Sequence, residues 1–214
     1  MRFIDLGTSD YRPAWALQEA AVEEVAAGAE ERVFLVEHTP VITLGRRAGL
    51  EKNVLAGADY LAGLGVDVVH SDRGGDVTFH GPGQLVVYPI IRLIDRKLTV
   101  GGYVRRMQEI VVATLADLDI ASQLDPSAVG VWTRDGDRLA KICALGVRVR
   151  RGITMHGIAL NVATDLRYFD LINPCGLGRP VTSIQRVLGT GAPGMERVKE
   201  AVRRRLAERL DAAG

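Results

Sequence analysis

The amino-acid sequence predicts an α+β fold, a mixed β-sheet flanked by helices. Strand-like runs come in groups, and the helices between them do not alternate strictly with strands, which argues against a doubly wound parallel sheet. Hydrophobic residues make up 47% and charged residues 25%, as in an ordinary globular chain. The 214 residues suffice for a substantial core without disulfides or metals, and the length favours a single domain over 1–214.

A short strand is expected at 3–6 and a helix at 13–27, opened by Pro13, with Leu17, Ala21 and Val25 at four-residue spacing. Strands at 33–36 and 41–44 flank His38-Thr39-Pro40. A short helix at 58–64 leads into a strand at 66–69, and strands at 76–80 and 84–93 are joined by Gly81-Pro82-Gly83. Tyr103, Met107, Ile110, Thr114 and Leu118 mark one face of a long helix. Asp135-Gly136 signals a hairpin between strands at 129–133 and 138–150, with a further strand at 153–162. An irregular stretch covers 173–180, and a charged helix is expected over 195–210.

Composition excludes several function classes. A net charge of +1 is too small for a general nucleic-acid binder, and 5% aromatics is too few for a base-stacking platform. No apolar run approaches the ~18 residues of a membrane span, and residues 1–5 lack a signal-peptide core. The expectation is a cytoplasmic protein without nucleic-acid or membrane partners. Its two cysteines, Cys143 and Cys175, form no disulfide framework, zinc knuckle or redox pair. His38, His70, His80 and His156 match no metal-ligand spacing, so no metal is expected.

Three segments carry chemistry. The first is Arg73-Gly74-Gly75-Asp76-Val77-Thr78-Phe79-His80-Gly81-Pro82-Gly83-Gln84. Paired glycines at a strand entrance let backbone approach a ligand, though tight turns bracketing a strand have the same composition. The second contains Lys141. Alternation assigns Lys141, Cys143, Leu145, Val147 and Val149 to one apolar face and Arg148 and Arg150 to the other, unless a bulge at Gly146 alters the parity. An ammonium there is partly desolvated and suited to proton transfer, or it snorkels from the strand end. Lys141 is one of only four lysines, with Lys52, Lys97 and Lys199, among 27 basic residues. The third is Asn173-Pro174-Cys175-Gly176. A thiol between Pro and Gly sits in a turn, making Cys175 a better nucleophile candidate than Cys143 in its apolar strand. Cys143 stays a rival through its parity with Lys141.

Together these segments resemble the lipoate biosynthesis protein B family of octanoyltransferases. The resemblance rests on Arg73-Gly74-Gly75-x-Val77-Thr78-x-His80-Gly81-Pro82-Gly83-Gln84-Leu85, on Lys141-Ile142-x-Ala144-Leu145-Gly146 with His156-Gly157-Ile158-Ala159-Leu160-Asn161, and on Pro174-Cys175-Gly176. His38-Thr39-Pro40-Val41 followed by Thr43-x-Gly45-Arg46 adds to it, and the match keeps its order from about residue 33 to 184. The Arg-Gly-Gly segment is also similar to the lipoate ligases, and Pro-Cys-Gly separates the two. Gly152 departs from the family, which usually carries an aromatic nearby.

The resemblance implies the fold of the biotin and lipoate protein ligase catalytic domain. It implies that Cys175 is the acyl-thioester nucleophile and that Lys141 lowers its pKa. It implies substrate binding by Arg73, Gly74, Gly75, Asp76, Val77, Thr78, Phe79, His80, Ala144, Leu145, Gly146, Gly157, Ile158 and Ala159. The implied partners are octanoyl-acyl carrier protein and the lipoyl domains of 2-oxoacid dehydrogenase subunits and glycine cleavage H protein, and no cofactor is needed. A thiol of pKa ~8.5 brought to ~7 requires roughly 2 kcal/mol, within reach of one nearby ammonium. Arg46-Arg47, Arg105-Arg106 and Arg148-x-Arg150-Arg151 are candidates for steering acidic carriers. Competing expectations are an ATP-dependent ligase that does not use Cys175 and a non-catalytic acyl-binding module.

Overall fold

The first strand, β1 (Arg2–Ser9), runs parallel to β2 (Arg32–His38). Between them α1 (Tyr11–Ala26) crosses one face of the growing sheet. The computed structural model describes residues 1–173 and 179–211. Every later neighbour in the main sheet is antiparallel: β2 pairs with β6 (Gln84–Ile90), β6 with β10 (Ile153–Asn161), β10 with β9 (Arg138–Arg150), β9 with β8 (Ala128–Asp135) and β8 with β7 (Ser122–Asp125). The result is a mixed seven-stranded sheet, as the α+β reading expects. A second sheet has β3 (Val41–Leu44) at its centre, with β4 (Asp67–His70) parallel and β5 (Thr78–His80) antiparallel to it. The short helix α2 (Ala58–Gly63) leads into β4.

Alternation of side chains sorts the large sheet into two faces. Val33, Leu35, Leu85, Val87, Ile158 and Leu160 pack against α3 (Val100–Ala116) and α5 (Met195–Leu206). Phe34, Val36, Val86, Tyr88 and Ala159 point the other way, with Ala21, Val22 and Val25 of α1 closing part of that layer. A smaller core around Ile42, Leu44, Leu61, Phe79 and Ile172 holds the second sheet.

Several boundaries move for local reasons. The helix expected at 13–27 starts at Tyr11, which leaves Pro13 within the first turn. The Thr99 hydroxyl accepts the Gly102 N–H at 3.0 Å, so α3 begins at Val100 despite Gly101 and Gly102. β5 is shorter than expected because the Asp76 carboxylate takes the Val77 N–H at 2.7 Å. β7 and the short helix α4 (Ile184–Leu188) are additions to the sequence expectation.

Candidate active site

A cavity of about 410 Å³ opens between the Tyr88 face of the large sheet and the glycine-rich loop of the small one. Of the residues expected to bind substrate, it is lined by Arg73, Gly75, Asp76, Val77, Thr78, His80, Ala144, Leu145, Gly146, Gly157, Ile158 and Ala159. Lys141 lines it as well. Phe79 and Gly74 do not. Strand alternation sends Phe79 into the small core, where its ring stacks on Tyr168 at 4.6 Å. Gly74 instead docks the loop on β9, its N–H donating to the Val147 carbonyl at 2.9 Å.

Glycines make that docking feasible. A Cβ at Gly146 would lie 2.7 Å from the Gly74 carbonyl oxygen, and one at Gly45 would lie 2.3 Å from that of Gly75. Arg73, 6% exposed, braces the loop from beneath. Its Nε donates to Thr43 Oγ1 at 3.0 Å and its Nη2 to the Thr43 carbonyl at 2.6 Å. Asp72 ties the same turn to the large sheet through Arg148 and through His156 Nε2 at 2.6 Å.

The face assignment of β9 needs correction. Lys141 and Cys143 do not share a face, and the cause is a bulge at Ile142, not at Gly146. Trp132 pairs with Lys141 and Val131 with Cys143, so Ile142 is the extra residue. Ile142 and Cys143 both enter the core against α3, while Lys141 and Ala144 face the cavity. Burial pushes the Cys143 thiol up to about 12, far from a reactive thiolate. The Lys141 ammonium lies 4.9 Å from the centroid of the Trp132 ring. Its stem runs past Gly130, where a Cβ would come within 3.1 Å of Lys141 Cε.

Cys175 and Gly176 lie outside the described residues, but both flanks of their segment are anchored. Asn173 N–H donates to the Asn53 carbonyl at 2.8 Å. Downstream, Lys141 N–H donates to the Pro180 carbonyl and Thr182 N–H to the Lys141 carbonyl, each at 2.9 Å. Arg179 pairs with Asp125 and stacks over Trp132. Among the described residues no group of three His, Cys, Asp or Glu converges as a metal set.

The histidines near the cavity are held neutral. Burial lowers His38 to about 4 and takes His80 well below its ordinary value. His38 bonds Tyr88 Oη at 2.8 Å, and Tyr11 stacks on His80. Tyr11, Tyr88 and Trp132 line the cavity yet carry no sequence signal, because only the folded chain brings them to the Arg73 loop.

A family model for the lipoyl protein ligase A/B catalytic domain matches residues 10–207. The chain belongs to that family. Within the lipoyl protein ligase A/B group it is 45% identical over 205 residues to the octanoyltransferase of Nitratidesulfovibrio vulgaris (strain Miyazaki F), covering 95% of this chain and 92% of that one. A crystal structure of lipoate-protein ligase A bound with ATP aligns at TM-score 0.80 and 19% identity, covering 98% of this chain and 85% of the other. Biotin protein ligase from Aquifex aeolicus aligns at TM-score 0.56 and 12% identity, covering 99% and 69%. Both likenesses concern the fold, and they match the ligase-like architecture the sequence motifs imply.

Proposed function

We propose that the protein transfers an octanoyl group from octanoyl-acyl carrier protein to a lysine ε-amine on lipoyl domains, through a thioester on Cys175. The observation that carries this reading is the placement of Lys141. It faces an open-mouthed, mostly apolar cavity while its own backbone holds the 180–182 segment downstream of Cys175. Burial of a methylene contributes about 0.8 kcal/mol, so an octanoyl chain in such a cavity gains roughly 5 kcal/mol.

The proton ledger closes on Lys141. In the resting state of this mechanism Lys141 carries its proton and Cys175 is a thiolate. The thiolate attacks the donor thioester, the acyl–sulfur bond to the carrier breaks, and the departing carrier thiol takes its proton from Lys141. The neutral amine of Lys141 then accepts the proton that the attacking lysine sheds as the amide forms. Cys175 leaves as thiolate and the resting pair is restored, with no nucleotide consumed.

Of the three basic clusters, one sits at the mouth. Arg47 lines the cavity with its side chain 66% exposed, its Nη2 3.2 Å from Asp76 Oδ2. Arg148, Arg150 and Arg151 pair with Asp72 and Glu23, and Arg105 pairs with Glu109. By its place at the cavity Arg47 is the residue that steers an acidic carrier, in a cytoplasmic setting where no membrane is involved. Intact-protein mass spectrometry after mixing with octanoyl-acyl carrier protein, without nucleotide, tests the reading. A hydroxylamine-labile octanoyl adduct on Cys175 is expected. An adduct on Cys143, or one that needs ATP, overturns it.

A further inference from the structure

Asn161 ends β10 with only 4% of its surface exposed, and its amide joins two walls of the cavity. Nδ2 donates to the Thr182 carbonyl at 3.0 Å, and Oδ1 accepts from Gln84 Nε2 at 2.9 Å. The same Gln84 nitrogen donates to the Phe79 carbonyl at 3.1 Å, so both amide protons are committed and Gln84 Oε1 acts as acceptor. It takes the proton of His80 Nδ1 at 2.7 Å. His80 is thereby fixed in one neutral tautomer, with its Nε2 lone pair toward Thr43 Oγ1 at 3.4 Å. That hydroxyl oxygen in turn accepts from Arg73 Nε and Nη2, at 3.0 and 2.9 Å. The donors all run one way, from a guanidinium that only donates to a carbonyl that only accepts. Reversing any link leaves a buried group unpaired.

The carbonyl at the end of the chain belongs to the 180–182 segment that brackets Lys141, through Lys141 N–H to Pro180 and Thr182 N–H to Lys141. We propose that Asn161 is a positioning residue, whose amide holds the 180–182 segment and Lys141 in register with the Arg73 loop across the cavity. Only an amide supplies a donor to Thr182 and an acceptor to Gln84 at once. The inference rests on the reading of Cys175 and Lys141 as the reacting pair.

The test is Asn161→Asp, which keeps the shape and the acceptor but turns an oxygen toward the Thr182 carbonyl. Asn161→Ser is the second variant, in case the aspartate form folds poorly. The readouts are single-turnover acylation by octanoyl-acyl carrier protein and the pH profile of Cys175 alkylation by iodoacetamide. Acylation at saturating donor should fall about tenfold or more, with the donor KM changed by less than about threefold. The alkylation profile should move up by about one pH unit as the ammonium and thiol separate. If melting temperature falls but the alkylation profile stays with wild type, Asn161 is a structural residue only and the inference fails. If wild-type protein forms no adduct on Cys175, the functional reading itself fails and takes the inference with it.

Discussion

The Lys141 ammonium rests 4.9 Å from the centre of the Trp132 ring, on the side of β9 opposite the Cys143 thiol. The ring face limits where the ammonium sits, because it attracts a cation without quenching its charge as a carboxylate would. Trp132→Phe should keep acyl transfer within about threefold of wild type. Trp132→Leu should cost about tenfold, a loss in line with a partly desolvated cation–π contact. Single-turnover rates, normalised to folded protein by circular dichroism, decide this. Equal rates for the two variants would show that the indole only fills space.

Lys141 has two proposed jobs, and they separate in substitution. Lys141→Ala should slow both half-reactions and raise the pH needed for Cys175 alkylation. Lys141→Arg retains a positive charge but accepts no proton near neutrality. Cys175 should then still become acylated, while transfer to the lipoyl-domain lysine stalls and acyl-enzyme accumulates. An arginine variant that passes its acyl group on at the wild-type rate would rule out Lys141 as the base.

The glycine loop tolerates no side chain at its contact with β9. Gly146→Ala places a methyl 2.7 Å from the Gly74 carbonyl oxygen, so the loop must lift and its bond to Val147 is lost. Donor KM should rise about tenfold, more than a thermal shift of a few degrees would explain. Steady-state kinetics measure the KM, and isothermal titration with a non-hydrolysable octanoyl thioether gives the corresponding loss of affinity. Unchanged affinity would mean the loop does not touch the acyl group.

Cys143 should be silent in chemistry and audible in stability. Its thiol is pushed up from 9.0 to about 12, so the unfolded chain loses that proton first. Stability should therefore decline by about 1.4 kcal/mol per pH unit as pH rises above 9. Between pH 9 and 10, before the buried tyrosines contribute, Cys143→Ala should flatten the urea-midpoint profile while retaining most activity. A loss of activity comparable to that of Cys175→Ala would reverse the assignment.

The acid side has the opposite sign. His38 stays neutral in the fold down to about 4 but protonates near its ordinary 6.5 when unfolded. Stability is complete above pH 6.5 and falls by about 1.4 kcal/mol per unit toward pH 4, with His80 and His156 adding in the same direction. His38→Gln should lessen this slope in urea titrations. An unchanged slope would mean that His38 is protonated in the native state.

Much of this was legible in the chain. The apolar face read for α3, from Tyr103 to Leu118, is buried in the fold, whereas in α1 only Ala21 and Val25 of the four-residue series are buried and Leu17 is exposed. The paired glycines marked the Arg73 loop for close backbone approach, whereas Ala144 to Gly146 and Gly157 to Ala159, far from it in sequence, were reached only through the family resemblance. The side of the sheet that Lys141 occupies was not legible. A bulge depends on pairing, here of Trp132 with Lys141 and Val131 with Cys143, and one strand read alone cannot show it. Nor was the amide chain through Asn161, since Gln84 and Asn161 become neighbours only when β6 and β10 pair.

The bulge at Ile142 also acts as insulation. Lysine and cysteine two positions apart on a regular strand would share a face, and the amine would ionise that thiol as readily as any other near it. Octanoyl groups would then be captured on a sulfur from which no lipoyl-domain lysine could retrieve them, and each turnover would risk a dead enzyme. One additional residue in β9 turns Cys143 into the packed layer beneath α3 while Lys141 faces outward. If Lys141 is the base, as proposed, this register keeps it on the cavity side of β9 and away from the Cys143 thiol.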